Sequence, residues 1–357
     1  MGLQAGAPAP MFKALSPVNP SFAFSSVGGR YVVLAFLPEP GAARDAALAF
    51  AATYTQLLND DNCLLFGVLP DRASFETARN LLPIRWFADF DGTLRRLYDA
   101  EGPDGSVVPR WVAIDPSLRV LGWADLGDGA RVFEHLVRMG PPQNHAAVPL
   151  HAPVMIVPRI LEPQLCRQLI DIYRADGGSV SGVMRERDGK TIGVVDDFKR
   201  RRDTTLTDET LLNTLRLRVQ VRLAPEILKA FQFEATRIER YIVACYDARD
   251  GGYFRAHRDN TTAATAHRKF AVSINLNAEE FEGGDLRFPE YGPRTYRPPT
   301  GGAVVFSCSL LHEATPVTKG TRYAFLPFLF DEVGARIREQ NQHLLVPGAE
   351  GAEPAVL

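Results

Sequence analysis

His257 and Asp259 are separated by one residue, and His312 follows at the head of a later apolar-rich stretch. On an extended strand, residues two apart point to the same side. The imidazole of His257 and the carboxylate of Asp259 can therefore converge on one point. A second imidazole arriving from another strand would place two nitrogens and one oxygen on one face of a metal ion. That donor set suits Fe(II) with its remaining positions open. Beyond it, Arg322 follows Gly320-Thr321 in the β-prone run Arg322-Tyr323-Ala324-Phe325-Leu326. A guanidinium there can grip a carboxylate through two parallel hydrogen bonds. An isolated His-x-Asp is frequent by chance. Here it is followed in order by Glu282-Gly283-Gly284-Asp285-Leu286, by the run into His312, and by Gly-x-Arg. The ordered set, in a β-rich segment, is what points to a metal site.

Residues 154–332 resemble the 2-oxoglutarate/Fe(II) dioxygenase superfamily, and within it the prolyl 4-hydroxylase-like branch. The resemblance is carried by Ile242-Val243-Ala244-Cys245-Tyr246, by Tyr253 through His257-Arg258-Asp259-Asn260, and by Gly320-Thr321-Arg322-Tyr323-Ala324. It implies a double-stranded β-helix (jelly-roll) core with supporting helices. It implies Fe(II) on His257, Asp259 and His312, and the distal carboxylate of 2-oxoglutarate on Arg322. It also implies that Tyr246 hydrogen-bonds the co-substrate. A co-substrate-contacting Tyr of the oxygen-sensing prolyl hydroxylases is replaced here by Asn275, in Ser273-Ile274-Asn275-Leu276-Asn277. The family couples hydroxylation of an aliphatic C–H to conversion of 2-oxoglutarate and O2 into succinate and CO2. The retained Asp259 separates the chain from related halogenases, which vacate that position for a halide. A prolyl or other peptidyl or amino acid residue is the expected substrate. A small-molecule hydroxylase, or a non-enzymatic binding or scaffold protein, are the alternatives.

The elements that must position these residues are short strands with Gly/Pro turns, as in a jelly roll. Ile238–Cys245, Lys269–Leu276, Asp285–Phe288, Gly302–Phe306 and Thr321–Phe330 read as strands. Upstream, Val154–Pro158 is strand-like. Pro163 sits at the first position of a helix running to Tyr173. A second helix follows a cap at Thr207 or Asp208. Pro225 should kink it or begin another helix ending near Phe231. Residues 178–206, Gly-rich and charged with Lys199-Arg200-Arg201-Arg202, read as a solvated surface loop or as a lid over the site. His267 is expected at the surface. His343 belongs to a C-terminal helix or tail (336–357), of which Pro347–Leu357 read as disordered.

The first half is organised differently. Residues 1–27, rich in Pro, Ala and Ser, are expected to be partly irregular. Strands at Arg30–Leu37, Cys63–Leu69, Ile84–Phe87, Pro109–Ile114 and Leu118–Ala124 alternate with helices at Ala43–Leu58, Ser74–Leu81, Gly92–Ala100 and Arg131–Met139. Ser74 is the expected N-cap of its helix. The pattern argues an α/β domain over 28–140. It resembles the thioredoxin fold, and a peroxiredoxin in particular, through Tyr31–Pro38 and Ala113-Ile114-Asp115-Pro116. The loop Glu39-Pro40-Gly41-Ala42-Ala43-Arg44, however, carries no Cys. Thiol peroxidase chemistry needs an exposed, stabilised thiolate, and Cys63 opens a strand that reads as buried. A thioredoxin-like domain without thiol chemistry is expected, with a peroxidase using Cys63 as the alternative. A Pro-rich linker at 141–153, with solvated His145 and His151, should join it to the oxygenase-like domain at 154–335.

Composition bounds these readings. The chain has 357 residues, 46% hydrophobic and 23% charged, with a formal net charge of −2. This is enough for two domains, and it gives no electrostatic case for nucleic acid or an anionic membrane. Four scattered cysteines and no Cys-x-x-Cys argue against a disulfide framework or zinc site. Met1–Pro10 lacks the pattern of a secretory leader, and no stretch has transmembrane character. A cytoplasmic location is expected, with protein, peptide or small-molecule substrates as partners and a homodimer as one arrangement.

Overall fold

The computed structural model describes residues 2–78, 84–187, 189–346 and 355–357. The chain divides into two compact units. One comprises 1–152 with 289–293, and the other 153–288 with 294–357.

In the first unit, Tyr31–Phe36, Cys63–Leu69 and Arg85–Ala88 form the parallel part of a five-stranded sheet, to which Arg110–Ile114 and Val120–Asp125 add antiparallel. Residues alternate along the Tyr31–Phe36 strand. Tyr31, Val33 and Ala35 pack with Phe133 and Leu136 of the Gly129–Met139 helix. Val32, Leu34 and Phe36 pack with Phe87, Leu94 and Tyr98 on the other face. Both faces are apolar because both are covered, as expected for a parallel sheet. The fold is thioredoxin-like.

Several expectations for this unit change. Lys13–Ser16 and Asn19–Ala23 form a hairpin, followed by a 3-10 turn at Phe24–Val27. Phe12 stacks on Phe24 at 4.6 Å, and Phe22 leans on Phe66 and Phe87. Three aromatics thus order a segment whose Pro, Ala and Ser content reads as irregular. The Ala42–Ala51 helix is shorter than its Ala-rich periodicity suggests. The next helix begins at Arg72, and Asp71 caps it by accepting from the Ser74 N–H at 2.8 Å. Its expected last turn, to Leu81, lies outside the described residues. Residues 141–152 belong to this unit instead of standing free. His145 has its side chain 9% exposed and lies 3.8 Å from Asp115, so it is no solvated linker residue. His151 is exposed.

The second unit is a jelly roll of two sheets. The larger runs Met155–Val157, Ala303–Ser307, Phe270–Asn275, Val317–Phe325, Ile242–Asp247, Arg202–Thr205, Ser179–Val180. The smaller runs Lys199–Arg200, Tyr253–His257, His312–Ala314, Leu286–Arg287, Thr295–Tyr296. The helices Pro163–Asp176, Glu209–Arg222 and Ala224–Phe231 supply Leu169, Leu215, Val219 and Ile227 to a core shared with Val243, Val272, Ile274 and Phe325. Each such side chain contributes about 2–3 kcal/mol by leaving water. Asp208, not Thr207, is the N-cap of the second helix, accepting from Leu211 N–H.

The period of two then fixes the site. With Val243 and Cys245, Val272 and Ile274, Tyr323 and Phe325 turned to the helices, Tyr246, Ser273, Asn275 and Arg322 must point the other way. The expected strand Ile238–Cys245 is broken into Arg237–Glu239 and Ile242–Asp247, with Arg240 at φ +70° between them. The expected strand Thr321–Phe330 is likewise two strands, ending at Phe325 and resuming at Phe328.

Residues 178–206 are not an irregular loop. They contribute strands to both sheets and the hairpin Val183–Arg187 with Lys190–Val194. His267 is 2% exposed, not at the surface, because its Nε2 lies 3.0 Å from the buried Glu239 carboxylate and its ring packs on Phe330. The Glu332–Asn341 helix crosses the boundary expected at 335/336, and His343 lies in the 3-10 turn after it. Residues 347–354 fall outside the described residues, while Ala355–Val356 pairs with Arg237–Ile238 instead of being disordered. Among the described residues no helix is long and apolar enough to cross a membrane.

Candidate active site

His257 is the last residue of the Tyr253–His257 strand, and His312 is the first of His312–Ala314. The two are direct partners across the antiparallel ladder, which brings their ring centroids to 4.3 Å. Asp259 lies just past its strand, not on it. Its backbone N–H donates to the Cys308 carbonyl at 3.0 Å, which anchors the turn. One carboxylate oxygen is 3.5 Å from His257 Nε2, and the other is 3.3 Å from His312 Nε2. One donor atom from each of the three residues lies within 4.8 Å of the others.

The opposite ring nitrogens are tied to the backbone. His257 Nδ1 lies 2.7 Å from the Arg255 carbonyl and His312 Nδ1 3.0 Å from that of Leu310. A carbonyl only accepts, so each Nδ1 carries the proton and each Nε2 presents a lone pair. Such outer partners are typical of metal-binding imidazoles. Burial, then the neighbouring His257, push His312 down to about 4, so it is neutral at neutral pH. Burial would raise the Asp259 carboxyl, but His312 and His257 outweigh it and hold it well below the usual range. Two imidazole nitrogens and one carboxylate form a donor set that suits Fe(II), and the residues fit it.

Arg322 faces the same cleft, 2% exposed. Its Nε donates to Asn275 Oδ1 at 3.1 Å and one Nη to Ser273 Oγ at 2.8 Å, while its guanidinium lies over the Tyr246 ring at 5.2 Å. Among the described residues no carboxylate comes within ion-pair distance. Burial accordingly lowers its pKa. A buried cation held only by neutral acceptors is costly, and an incoming carboxylate would remove that cost. Gly283 and Gly284, both at positive φ, make room. A Cβ on Gly284 would stand 2.7 Å from Val317 and 3.3 Å from the Arg322 Cδ, so the glycines of the Glu282-Gly283-Gly284 turn let the arginine seat.

Asn275 does not line the cleft. It stands behind Arg322, its amide also donating to the Pro298 carbonyl at 3.1 Å. Its Oδ1 accepts from Arg322 Nε, so it touches the guanidinium that the sequence pairs with the co-substrate. Tyr246 does line the cleft, and its hydroxyl accepts from Arg201 at 3.3 Å.

Arg201, read from sequence only as part of a charged run, and Arg240, not singled out there, both line the cleft. Arg201 is clamped by Asp203, Nε to Oδ1 at 2.6 Å. Burial would raise Asp203, but Arg201 and Lys199 bring it down to about 2. Sequence alone carries no signal for Arg201, because Lys199-Arg200-Arg201-Arg202 is uniformly basic; only the strand geometry buries the first and third residues and exposes the second and fourth.

Residues 241–330 match the family model of the 2OG-Fe(II) oxygenase superfamily. A PKHD-type hydroxylase of Synechococcus sp. (strain JA-2-3B'a(2-13)) is 29% identical over 93 residues, 24% of this chain and 41% of that relative. This chain therefore spans less than half of that relative's length. Among solved structures, a Pseudomonas putida prolyl-4-hydroxylase is 18% identical, covering 51% of this chain and 94% of that one with a TM-score of 0.37. The mitochondrial 2-cys peroxiredoxin of Plasmodium falciparum is 15% identical, covering 40% of this chain and 97% of that one with a TM-score of 0.34. The matched residues 241–330 enclose His257, Asp259, His312 and Arg322, so it is the stretch carrying the site that is similar to the 2OG-Fe(II) oxygenase superfamily.

Proposed function

We propose that the protein is a 2-oxoglutarate-dependent hydroxylase of an aliphatic C–H, acting on a prolyl or other peptidyl or amino acid residue. The observation that carries the reading is the convergence of His257, Asp259 and His312 with both Nδ1 atoms tied to backbone carbonyls. His257, Asp259 and His312 would hold Fe(II), and Arg322 would hold the distal carboxylate of 2-oxoglutarate. With iron and co-substrate bound, the site supplies oxidising chemistry: one oxygen atom of O2 enters the substrate as hydroxyl and the other enters succinate, with CO2 released.

The chain's own residues prepare this. Arg255 and Leu310 carbonyls fix the imidazole tautomers. Ser273 and Asn275 orient the Arg322 fork so that its remaining N–H groups meet a carboxylate. Phe254, stacked on His257 at 3.5 Å, and Phe306, 4.5 Å from His312, keep water off the imidazoles. The small Ala271 and Ala314 leave room in the cleft.

The test is incubation with Fe(II), 2-oxoglutarate, O2 and proline-containing peptides. Succinate should form in step with a product heavier by one oxygen. A protein that binds Fe(II) and 2-oxoglutarate but gives neither succinate nor oxygenated product with any peptide or amino acid would contradict the reading.

A further inference from the structure

Arg240 lines the cleft, and its ion pair there is long and shared. Its guanidinium is 3.8 Å from Asp203 Oδ2 and lies over the Phe328 ring at 5.1 Å. Asp203 is already engaged by Arg201 through two contacts. Arg201, Arg268 and Lys199 act on Arg240 as like charges, against the carboxylates of Asp203 and Asp259. Burial and then Arg201 lower its pKa to about 10, leaving it a cation at neutral pH.

The backbone holds it there at a cost. Arg240 has φ +70°, a left-handed conformation that costs a residue with a Cβ about 1–2 kcal/mol. It stands between Glu239, buried against His267 and Arg268, and Tyr241, buried in the helix-side core. These flanking anchors turn the intervening side chain into the cleft. Strain of this kind at a cleft wall points to use.

Charge accounting gives the ligand class. If Fe(II) is held by Asp259 and 2-oxoglutarate brings two carboxylates, Arg322 restores neutrality. Arg201 and Asp203 cancel each other, and Arg240 is left over. Resting on the function proposed above, we propose that Arg240 binds a carboxylate of the primary substrate, so that the hydroxylated molecule carries an acidic group near the reacting carbon. The carboxylate can be the α-carboxylate of a free amino acid or an acidic side chain next to a prolyl residue in a peptide. Asp203 then serves as a positioning residue that keeps Arg201 from competing for it.

The experiment is calorimetric titration of the full-length protein loaded with Mn(II), which cannot turn over, and 2-oxoglutarate. The probes are two pairs: L-proline against L-prolinamide, and acetyl-Pro-Glu-amide against acetyl-Pro-Gln-amide. The acidic member of at least one pair should bind about tenfold or more tightly, the size of one charge-assisted hydrogen bond. Which pair discriminates identifies the source of the carboxylate. Arg240→Gln should abolish the preference and leave 2-oxoglutarate affinity within about twofold; Arg240→Lys should retain part of it. Arg240→Gly relieves the positive φ, so it should lose the preference without losing thermal stability. Equal binding within both pairs, no binding of either pair, or an unchanged preference in both Arg240→Gln and Arg240→Gly would overturn the proposal. Failure of the wild-type protein to bind 2-oxoglutarate would count instead against the function it rests on.

Discussion

Cys63 and His312 are both buried residues at the first position of a strand, one in each unit. Cys63, the one cysteine of the first unit, is 1% exposed, and burial pushes its thiol well above the ordinary range. Its thiol donates to the Leu64 carbonyl at 3.9 Å, and the Ala42–Ala51 helix begins without a cysteine. His312 is equally buried, but its Nε2 faces the Asp259 carboxylate and a second imidazole. Burial silences a nucleophile that stands alone, whereas burial of several donors aimed at one point makes a ligand set. The first unit therefore presents a lone buried thiol on its sheet, and the second presents three donors aimed at one point.

The largest effect should come from removing the shared carboxylate. Asp259→Ala leaves two imidazoles without a counter-charge. It should abolish Fe(II) binding by titration and hydroxylation with it, and retained activity would break the contrast at its strongest point. Arg322→Ala comes next. Loss of a charge-assisted, bidentate grip should weaken 2-oxoglutarate by about 2–3 kcal/mol, roughly 30- to 150-fold, while Mn(II) affinity stays near wild type. Gly284→Ala combines a positive φ with a Cβ pressed on Val317 and Arg322. It should lower stability by about 1–2 kcal/mol in urea unfolding and weaken 2-oxoglutarate several-fold.

The acid limb sharpens the account of Asp203. Its carboxyl is held at about 2, below its ordinary 3.8. A depressed carboxyl stabilises the fold fully above its unfolded value and loses that contribution as pH falls through the folded one. The stability gap between wild type and Asp203→Asn should be largest above about pH 4 and shrink toward pH 2. The smallest effect belongs to the first unit. Cys63→Ala should cost about 1 kcal/mol for lost packing and leave 2-oxoglutarate turnover unchanged. Native-state alkylation should not reach the wild-type thiol.

Much of the site was legible because its residues have rare chemistry at a diagnostic spacing. His257, Asp259, His312 and Arg322 stand out in any β-rich stretch. What stayed hidden depended on tertiary facts. Lys199 and Arg201 look like solvated charge until the strand buries alternate residues. Arg240 sits inside an apparently continuous strand run, and only its backbone angle shows the break. His267 appears polar and loop-bound because its partner, Glu239, is distant in sequence. The Phe12, Phe22 and Phe24 cluster was masked by Pro-rich surroundings, since periodicity does not register three aromatics that meet only on a sheet face. Asn275 was read as the replacement of a co-substrate-contacting Tyr, but its hydrogen bond to Arg322 joins residues 47 apart in sequence and could not be seen there.

The most direct test of the central claim mixes the full-length protein with Fe(II) and 2-oxoglutarate without oxygen and records the visible metal-to-ligand charge-transfer band. The account predicts that the band appears with the wild-type protein and is lost in His257→Ala with the fold intact by circular dichroism. A folded wild-type protein that gives no band, or a band unchanged in His257→Ala, would contradict it.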